Sequence, residues 1–203
     1  MNVDPIEAAN AAGEEARGRS ARAEAQLSSW VAITVALLAT FLGVCKVKDD
    51  NLVQAMAQAQ ADKLDHWTFY QARNLREEVA RSALVQLRLA AASASAERQP
   101  AYQEALAQYE ALIADQAVKK EEVRAQAEAD QKNYDALNYR DDQFDLADAL
   151  SAVAISLLAV TALTHKRWLF WAALVPTLLA MVMGLAGLLG LSLHPDLVTR
   201  LLS

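Results

Sequence analysis

Glycine, proline and cysteine are scarce in this sequence of 203 residues, which contains six, four and one of them respectively. No glycine lies between Gly43 and Gly184, and that interval contains only two prolines. β-Sheets and tight turns depend on glycine, proline, asparagine and aspartate, so this composition excludes a fold built from many strands. The single cysteine, Cys45, excludes an intrachain disulfide framework and a thiolate-rich metal site.

An excess of positive charge is also missing, because 25 acidic residues outnumber 19 lysines and arginines and the formal net charge is −6. Binding to a nucleic-acid backbone requires a basic surface, so no nucleic-acid partner is expected. Hydrophobic residues make up 54% of the chain, which is enough to exclude wholesale disorder.

Three apolar runs predict transmembrane helices over residues 30–47, 148–164 and 168–193. A helix rises about 1.5 Å per residue, so about 20 apolar residues cross a hydrocarbon core of about 30 Å. The second run is short, and it spans only if Asp148 lies in the headgroup region or the bilayer thins locally. Residues 1–29 are interpreted as a polar N-terminal tail and residues 194–203 as a C-terminal tail.

Small residues recur three or four positions apart within each predicted span, and such ridges let helices approach closely in lipid, within one chain or between chains. The residues predicted to pack in this way are Ala36, Gly43, Ala152, Ser156, Ala180, Gly184 and Gly187. No Asp, Glu, Lys, Arg or His lies deep in a span, which disfavours a pump, a coupled transporter or a charge-selective pore.

Residues 48–147 predict a long antiparallel, coiled-coil-like helical hairpin with a bend near residues 93–100, where periodicity stops before Pro100. The second arm carries the apolar stripe Tyr102, Leu106, Tyr109, Ile113, Val123, Ala127, Tyr134, Leu137 and Phe144, interrupted by Gln116, Lys120, Asp130 and Asp141. The first arm carries the looser stripe Val53, Met56, Leu64, Trp67, Leu75 and Val79. We expect each arm to continue its transmembrane helix without a break. The predicted fold class is all-α, with three transmembrane helices and this hairpin between the first and second.

The antiparallel arms would bring two lysines and two aspartates to the same level where the chain leaves the membrane. Ion pairs are therefore predicted among Lys46, Lys48, Asp145 and Asp148. A two-helix hairpin with a polar seam buries little core, so we expect a homo-oligomer or an unknown protein partner to cover more of its surface.

The densest aromatic cluster of the chain consists of Trp67, Phe69, Tyr70 and Arg73. Hairpin core is the favoured interpretation for Trp67. The alternative is a protein–protein contact, because exposed tryptophan, tyrosine and arginine are typical interface anchors.

Two acidic patterns raise the question of a metal site. Residues 141–145 read D-D-x-x-D, which binds magnesium diphosphate in isoprenoid synthases, but the second acidic motif and the helical barrel are missing. Asp62 precedes His66 by one turn, a spacing more typical of a charged helix face. The sequence has no nucleophile elbow, phosphate loop, zinc helix or dinucleotide fingerprint. We predict no catalytic residue, no metal site and no cofactor, and therefore no enzyme.

The stretch from Lys46 to Arg73 resembles a known family. Its core reads Asp62, Lys63, Asp65, Trp67, Phe69, Tyr70, Gln71 and Ala72. It is similar to the bacterial membrane proteins catalogued as domain of unknown function 4337, and the likeness covers nearly the whole chain. The resemblance implies an inner-membrane protein with one span, a helical middle and two closing spans. It implies no activity, because the family has none assigned.

The leading hypothesis is a non-enzymatic membrane protein, an oligomeric scaffold or partner-binding protein that acts through its hairpin. The alternative is an accessory or pore-forming subunit of a transport or channel assembly, with Ser151, Thr161 and Thr164 as candidate pore-lining residues. Basic residues before the first span and after the second predict a cytoplasmic N-terminus, and the lipid bilayer is an expected partner.

Overall fold

The computed structural model describes residues 5–191 and Leu193, and helices account for nearly all of them. The first helix, α1, spans Pro5–Ala92, α2 spans Gln99–Thr164 and α3 spans Arg167–Leu189. The described residues contain no strand. The all-helical class predicted from composition is confirmed, and α1 and α2 each run unbroken through a predicted span and a predicted hairpin arm.

The chain folds as two compact units. The first unit consists of residues 1–52 and 139–203 and includes the three predicted spans, whereas the second consists of residues 53–138. Each of the three helices contains a segment that is long and apolar enough to cross a membrane.

The N-terminal segment, interpreted above as a polar tail, is helical over its described residues. α1 begins at Pro5 and continues into the first span. Alanine, glutamate and arginine dominate this segment and are strong helix formers.

The third helix ends at Leu189, four positions before the predicted end of its span. Gly190 adopts a left-handed conformation, with φ at 68°, and its N–H donates to the carbonyl of Ala186. Leu191 N donates to the same carbonyl at 2.9 Å. Glycine enters this conformation at little cost, so Gly190 stops the helix even though the apolar run continues. The predicted C-terminal tail, residues 194–203, lies outside the described residues.

The first unit is a bundle in which all three helices contribute to one core. Val31 of α1, Leu158 of α2 and Ala173 of α3 pack together there. The buried positions recur at spacings of three, four and seven: Val31, Leu38, Cys45 and Leu52 on α1; Ala147, Ser151, Ala154, Leu158 and Thr161 on α2; and Ala173, Thr177, Ala180, Gly184 and Gly187 on α3. This spacing is the expected one for helices that pack along their length.

The small residues of α3 pack inside the bundle as predicted. A Cβ atom added to Gly184 would lie 2.7 Å from the Phe41 ring, and one added to Gly187 would lie 2.9 Å from the Phe144 ring. The small-residue faces of α1 and α2 point outwards instead, so Ala36, Gly43, Ala152 and Ser156 are exposed in the single chain. Of the two alternatives, packing within the chain does not occur at these four positions, because the neighbouring faces bury larger apolar side chains such as Leu38 and Leu158. A packing role between subunits stays a prediction.

The second unit is an antiparallel helix pair joined by residues 93–98, inside the predicted bend. The N–H groups of Ser93 and Ala94 donate to the carbonyls of Ala90 and Ala91 at the end of α1. Gln99 Nε2 also donates to the Ala91 carbonyl, at 2.8 Å. These bonds satisfy carbonyl groups that the end of a helix leaves open.

Candidate functional site

The interior of the hairpin is built from small side chains. Ala59, Ala80 and Ala91 of α1 and Ala127 of α2 are buried, and Leu84 is the one larger apolar side chain buried among residues 53–138. Alanine at the contact positions lets two helices approach closely. The hairpin is therefore narrow, and its own interior offers little room for large side chains.

The large apolar side chains of the first arm lie on the outside. Six of them form what we call the outer stripe: Val53, Leu64, Leu75, Val79, Val85 and Leu89, each at least 50% exposed. With 3.6 residues per turn, they occupy one face of about 120°, opposite the buried alanines. This corrects the prediction that the apolar stripe of the first arm forms the hairpin core. Two members of the predicted stripe lie outside the outer stripe: Met56 is half-buried and Trp67 is 37% exposed.

The polar residues of the second arm explain why α1 turns its alanine face inwards. Gln116, Lys120 and Asp130, predicted as interruptions of the stripe, all lie in the seam and need partners. The inner face of α1 supplies them, whereas the outer stripe offers none. In the described residues, six hydrogen bonds cross the seam: His66 Nδ1 to Asp130 Oδ2 at 2.6 Å, Lys63 Nζ to Gln131 Oε1 at 2.8 Å, Arg73 Nη1 to Gln116 Oε1 at 3.1 Å, Lys120 Nζ to Glu77 Oε2 at 2.7 Å and to Asn74 Oδ1 at 3.3 Å, and Arg88 Nη2 to Glu110 Oε1 at 2.8 Å.

Glu77 is the most deeply buried charge of the hairpin, with 3% of its surface exposed. It accepts hydrogen bonds from Lys120 across the seam and from Arg81 one turn along α1. These two bonds lower the pKa of Glu77, and the bond to Glu77 raises the pKa of Lys120. Glu77 therefore stabilises the hairpin at pH values above the ordinary carboxyl range, and this contribution is lost as the pH falls below it.

Reversing the charge of Lys120 should destabilise the hairpin, because Lys120→Glu places a second carboxylate against Glu77. We expect the thermal midpoint of the full-length protein, followed by circular dichroism, to fall by several degrees. Lys119→Glu is the matched control, since Lys119 is exposed and pairs only with Asp115 on its own helix. Equal losses in the two variants would contradict the assigned seam, and restoration by Glu77→Lys in the Lys120→Glu background would support it.

The aromatic cluster splits between the seam and the surface. Trp67 and Tyr70 meet edge to face with ring centroids 5.4 Å apart, and Tyr70 and Arg73 are half-buried. Phe69 points outwards and is 59% exposed. Trp67 lines a shallow cleft of about 340 Å³ with Ala127 and three polar residues. The cluster as a whole is neither core nor free surface.

At the predicted membrane exit the structure groups carboxylates rather than forming the predicted ion pairs. Lys46 binds Asp49 at 2.7 Å and Asp50 at 3.7 Å, both on its own helix. Among the ion pairs of the described residues, none joins Lys46 or Lys48 to Asp145 or Asp148. A partner three or four positions away on one helix requires little ordering of the lysine side chain, so it is preferred. Lys46 of α1 nevertheless lies beside Asp145 and Asp148 of α2, as predicted, because all three line one small cleft.

We call Asp49, Asp141 and Asp145 the acidic cluster. Burial, the charge of Asp145 and a hydrogen bond with Asp49 raise the pKa of Asp141 to about 6. Burial and the charge of Asp49 also raise the pKa of Asp145. Asp49 is 6% exposed, and its Oδ1 atom has no ordinary hydrogen-bond donor in the described part of the chain. A protonated Asp141 supplies a donor to the Asp49 carboxylate.

Two side chains of α2 donate hydrogen bonds to backbone carbonyls at the C-terminal end of α3 and just beyond it. Gln143 is fully buried, and its Nε2 donates to the carbonyls of Leu191 at 2.8 Å and Leu193 at 2.7 Å. Arg140 Nη2 donates to the Gly187 carbonyl at 2.9 Å. Both satisfy carbonyls at a helix C-terminus, where a cation is also favoured by the helix dipole. Sequence reasoning missed this pair, because the partners lie almost 50 positions away and no local pattern marks them.

The hydroxyl groups proposed as pore-lining are used inside the bundle. Ser151 and Thr161 are fully buried, and each donates at 2.7 Å to the carbonyl four residues earlier on its own helix. Thr164 is exposed and makes the same kind of bond to Val160. Ser151 and Thr161 therefore fill the core of a single chain.

Neither acidic pattern of the sequence forms a metal-binding group in the described residues, where no three His, Cys, Asp or Glu side chains are placed to hold an ion. Asp62 accepts from Gln58 Nε2 at 2.7 Å, whereas His66 binds Asp130 on the other arm. Asp62 and His66 therefore do not share a site. His66 lies in the seam, whereas Asp62 bonds along its own helix.

The comparison with protein families identifies the family of this chain. The model of the family described as Domain of unknown function (DUF4337) matches residues 27–190, which include most of the first unit and the whole hairpin. The chain belongs to this family. No curated protein and no solved structure matches it. The family description carries no activity.

Proposed function

We propose that this DUF4337 chain is a non-enzymatic, multi-pass protein of the bacterial inner membrane that assembles as a homo-oligomer through its hairpin. Three helices of sufficient length and apolarity support membrane insertion. The outer stripe carries the proposal of self-association, because six large apolar side chains lie on the face opposite the one that packs within the chain. Exposed apolar surface of this extent is typical of an interface.

The occupant of the outer stripe is a second copy of the hairpin. Each hairpin buries mainly alanines, so it gains little hydrophobic free energy from its own seam and requires further apolar contact to be stable. Two outer stripes can supply that contact to each other, since Leu64, Leu75 and Leu89 recur at spacings of 11 and 14 residues that keep them on one face. As a scaffold, the assembled hairpins would then present Phe69 and the Trp67 cleft to other proteins.

The test is the mass of the detergent-extracted, full-length protein. The wild-type particle should contain at least two chains of 22.1 kDa each. The double variant Leu64→Glu and Leu75→Glu should release single chains, because two buried carboxylates per subunit oppose association. Gln58→Glu is the control, since Gln58 is exposed on the same arm but outside the outer stripe.

A wild-type particle that is a single chain would overturn self-association. A double variant that keeps the wild-type mass would place the interface elsewhere. Association of wild-type chains only when another membrane protein co-purifies would replace the second copy with a dedicated partner.

The transport alternative is less well supported. Ser151 and Thr161, its two buried candidate lining residues, donate to their own helix and fill the chain's core. Reconstituted bilayers that contain the purified protein are therefore expected to show no conductance above the lipid background.

A further inference from the structure

We propose that the cleft between the start of α3 and the first span on α1 binds one acidic phospholipid. This inference rests on the membrane insertion proposed above, but it does not depend on self-association. The cleft has a volume of about 550 Å³. Its apolar lining includes Leu27, Phe170 and Leu174, and its polar lining includes Arg167.

Charge complementarity identifies the headgroup. Arg167 is exposed, and no ion pair or hydrogen bond is found for its side chain or for that of Lys166 within the described part of the chain. No acidic residue occurs between Gln26 and Thr34 or between His165 and Leu174, the two segments that form and flank the cleft. Two cations without a carboxylate partner attract an anion, and arginine binds phosphate oxygens through its paired N–H groups.

The start of α3 adds to this attraction. Lys166 occupies the N-cap position, and its side chain makes no capping hydrogen bond. The positive end of the α3 dipole is thus uncompensated by protein at the residue where Arg167 begins the helix. A phosphate placed against Arg167 is favoured by the arginine side chain and by the helix end.

The rest of the cleft suits an amphipathic ligand. Trp30 and Trp171 line it from α1 and α3, and both are more than 60% exposed. Tryptophan rings favour the boundary between headgroups and acyl chains. Leu27, Phe170 and Leu174 offer an apolar wall for the upper part of an acyl chain. A free phosphate would leave this wall uncovered, so the geometry favours a lipid over a soluble anion.

The test measures lipid binding to the full-length protein by native mass spectrometry, with phosphatidylglycerol and phosphatidylcholine as probes. The first phosphatidylglycerol should bind about tenfold more tightly than phosphatidylcholine. Both lipids carry a phosphate, but the choline cation of phosphatidylcholine offsets its charge, and an interaction of Arg167 with a headgroup of uncompensated charge contributes about that factor. Arg167→Gln should remove most of this preference. Lys48→Gln is the matched control, because Lys48 is also an exposed cation near a span end but lies outside the cleft.

A second measurement needs no variant. Phosphatidylglycerol with brominated acyl chains should quench tryptophan fluorescence more strongly than brominated phosphatidylcholine, because Trp30 and Trp171 line the cleft. The proposal is overturned by equal binding of the two lipids, by equal losses in Arg167→Gln and Lys48→Gln, or by full competition from soluble glycerol phosphate. A protein that stays in solution without detergent would instead contradict the proposed membrane insertion.

Discussion

Gly187→Ala is expected to lower the free energy of unfolding by about 1–3 kcal/mol, as overpacking of a filled core does. The new methyl group would lie 2.9 Å from the Phe144 ring, and Phe144 is only 3% exposed. Alanine is intrinsically the better helix former by about 1 kcal/mol, so a loss of stability would show that packing outweighs helix propensity at this position.

Gly43→Ala is the matched control, because a Cβ atom at Gly43 meets nothing within 4 Å. This variant should be as stable as the wild type or up to about 1 kcal/mol more stable. Unfolding by denaturant in detergent micelles, followed by circular dichroism, compares the two variants. A loss of equal size at both glycines would contradict the assigned packing. Adding Phe144→Leu to Gly187→Ala should recover part of the loss.

Asp141→Asn should stabilise the protein near neutral pH and leave it unchanged near pH 4. The pKa of Asp141 lies at about 6 in the folded protein, against an ordinary value of 3.8. For an acid with a raised pKa, the stabilising contribution is complete below the ordinary value and is lost as the pH rises through the folded value. The loss therefore develops between about pH 4 and pH 6. After discounting for solvent screening of this half-exposed cluster, we expect a gain of about 1 kcal/mol for Asp141→Asn at pH 7.

The groups that act on Asp141 are acidic. Asp49 approaches from α1, and Asp142 and Asp145 lie next to Asp141 and one turn further along α2. Lys46 acts on Asp145 and lowers its pKa against the other causes. The described part of α3 has no titratable side chain between Trp168 and Leu189. Thermal midpoints at pH 4, 6 and 8 test the prediction, with Asp50→Asn as the control because Asp50 is exposed. A variant whose midpoint follows the wild-type pH profile would show that Asp141 is ionised throughout.

The helices and their connection were predictable because they depend on local chemistry. The sequence itself shows the signals: no glycine lies between Gly43 and Gly184, helix formers run through that interval, and Pro100 follows an aperiodic stretch. Helix ends were less predictable. The structure continues α1 to Pro5 and stops α3 at Gly190, where one left-handed residue outweighs a continuing apolar run.

The choice of helix face was not predictable from hydrophobicity. The inner face of α1 in the hairpin repeats every seven residues as Ala59, His66, Arg73 and Ala80, which are small or polar. Hydrophobicity favours Leu64 and Leu75 instead, and these lie outside. The inner face depends on partners such as Asp130 on the other arm, and no local pattern reveals a contact across so many residues. In the acidic cluster, the sequence singled out Asp141 and Asp145 but not Asp49, which approaches them from α1.

The closure of α3 by Arg140 and Gln143 also bears on how the chain is made. The carbonyl groups that these side chains bind belong to Gly187, Leu191 and Leu193, which leave the ribosome after α1 and α2. Until then, a fully buried glutamine and an arginine have no backbone partners. The first two helices therefore form an incompletely packed pair until the third is made. Final packing of the first unit is a late step of biosynthesis, completed by the last helix to arrive.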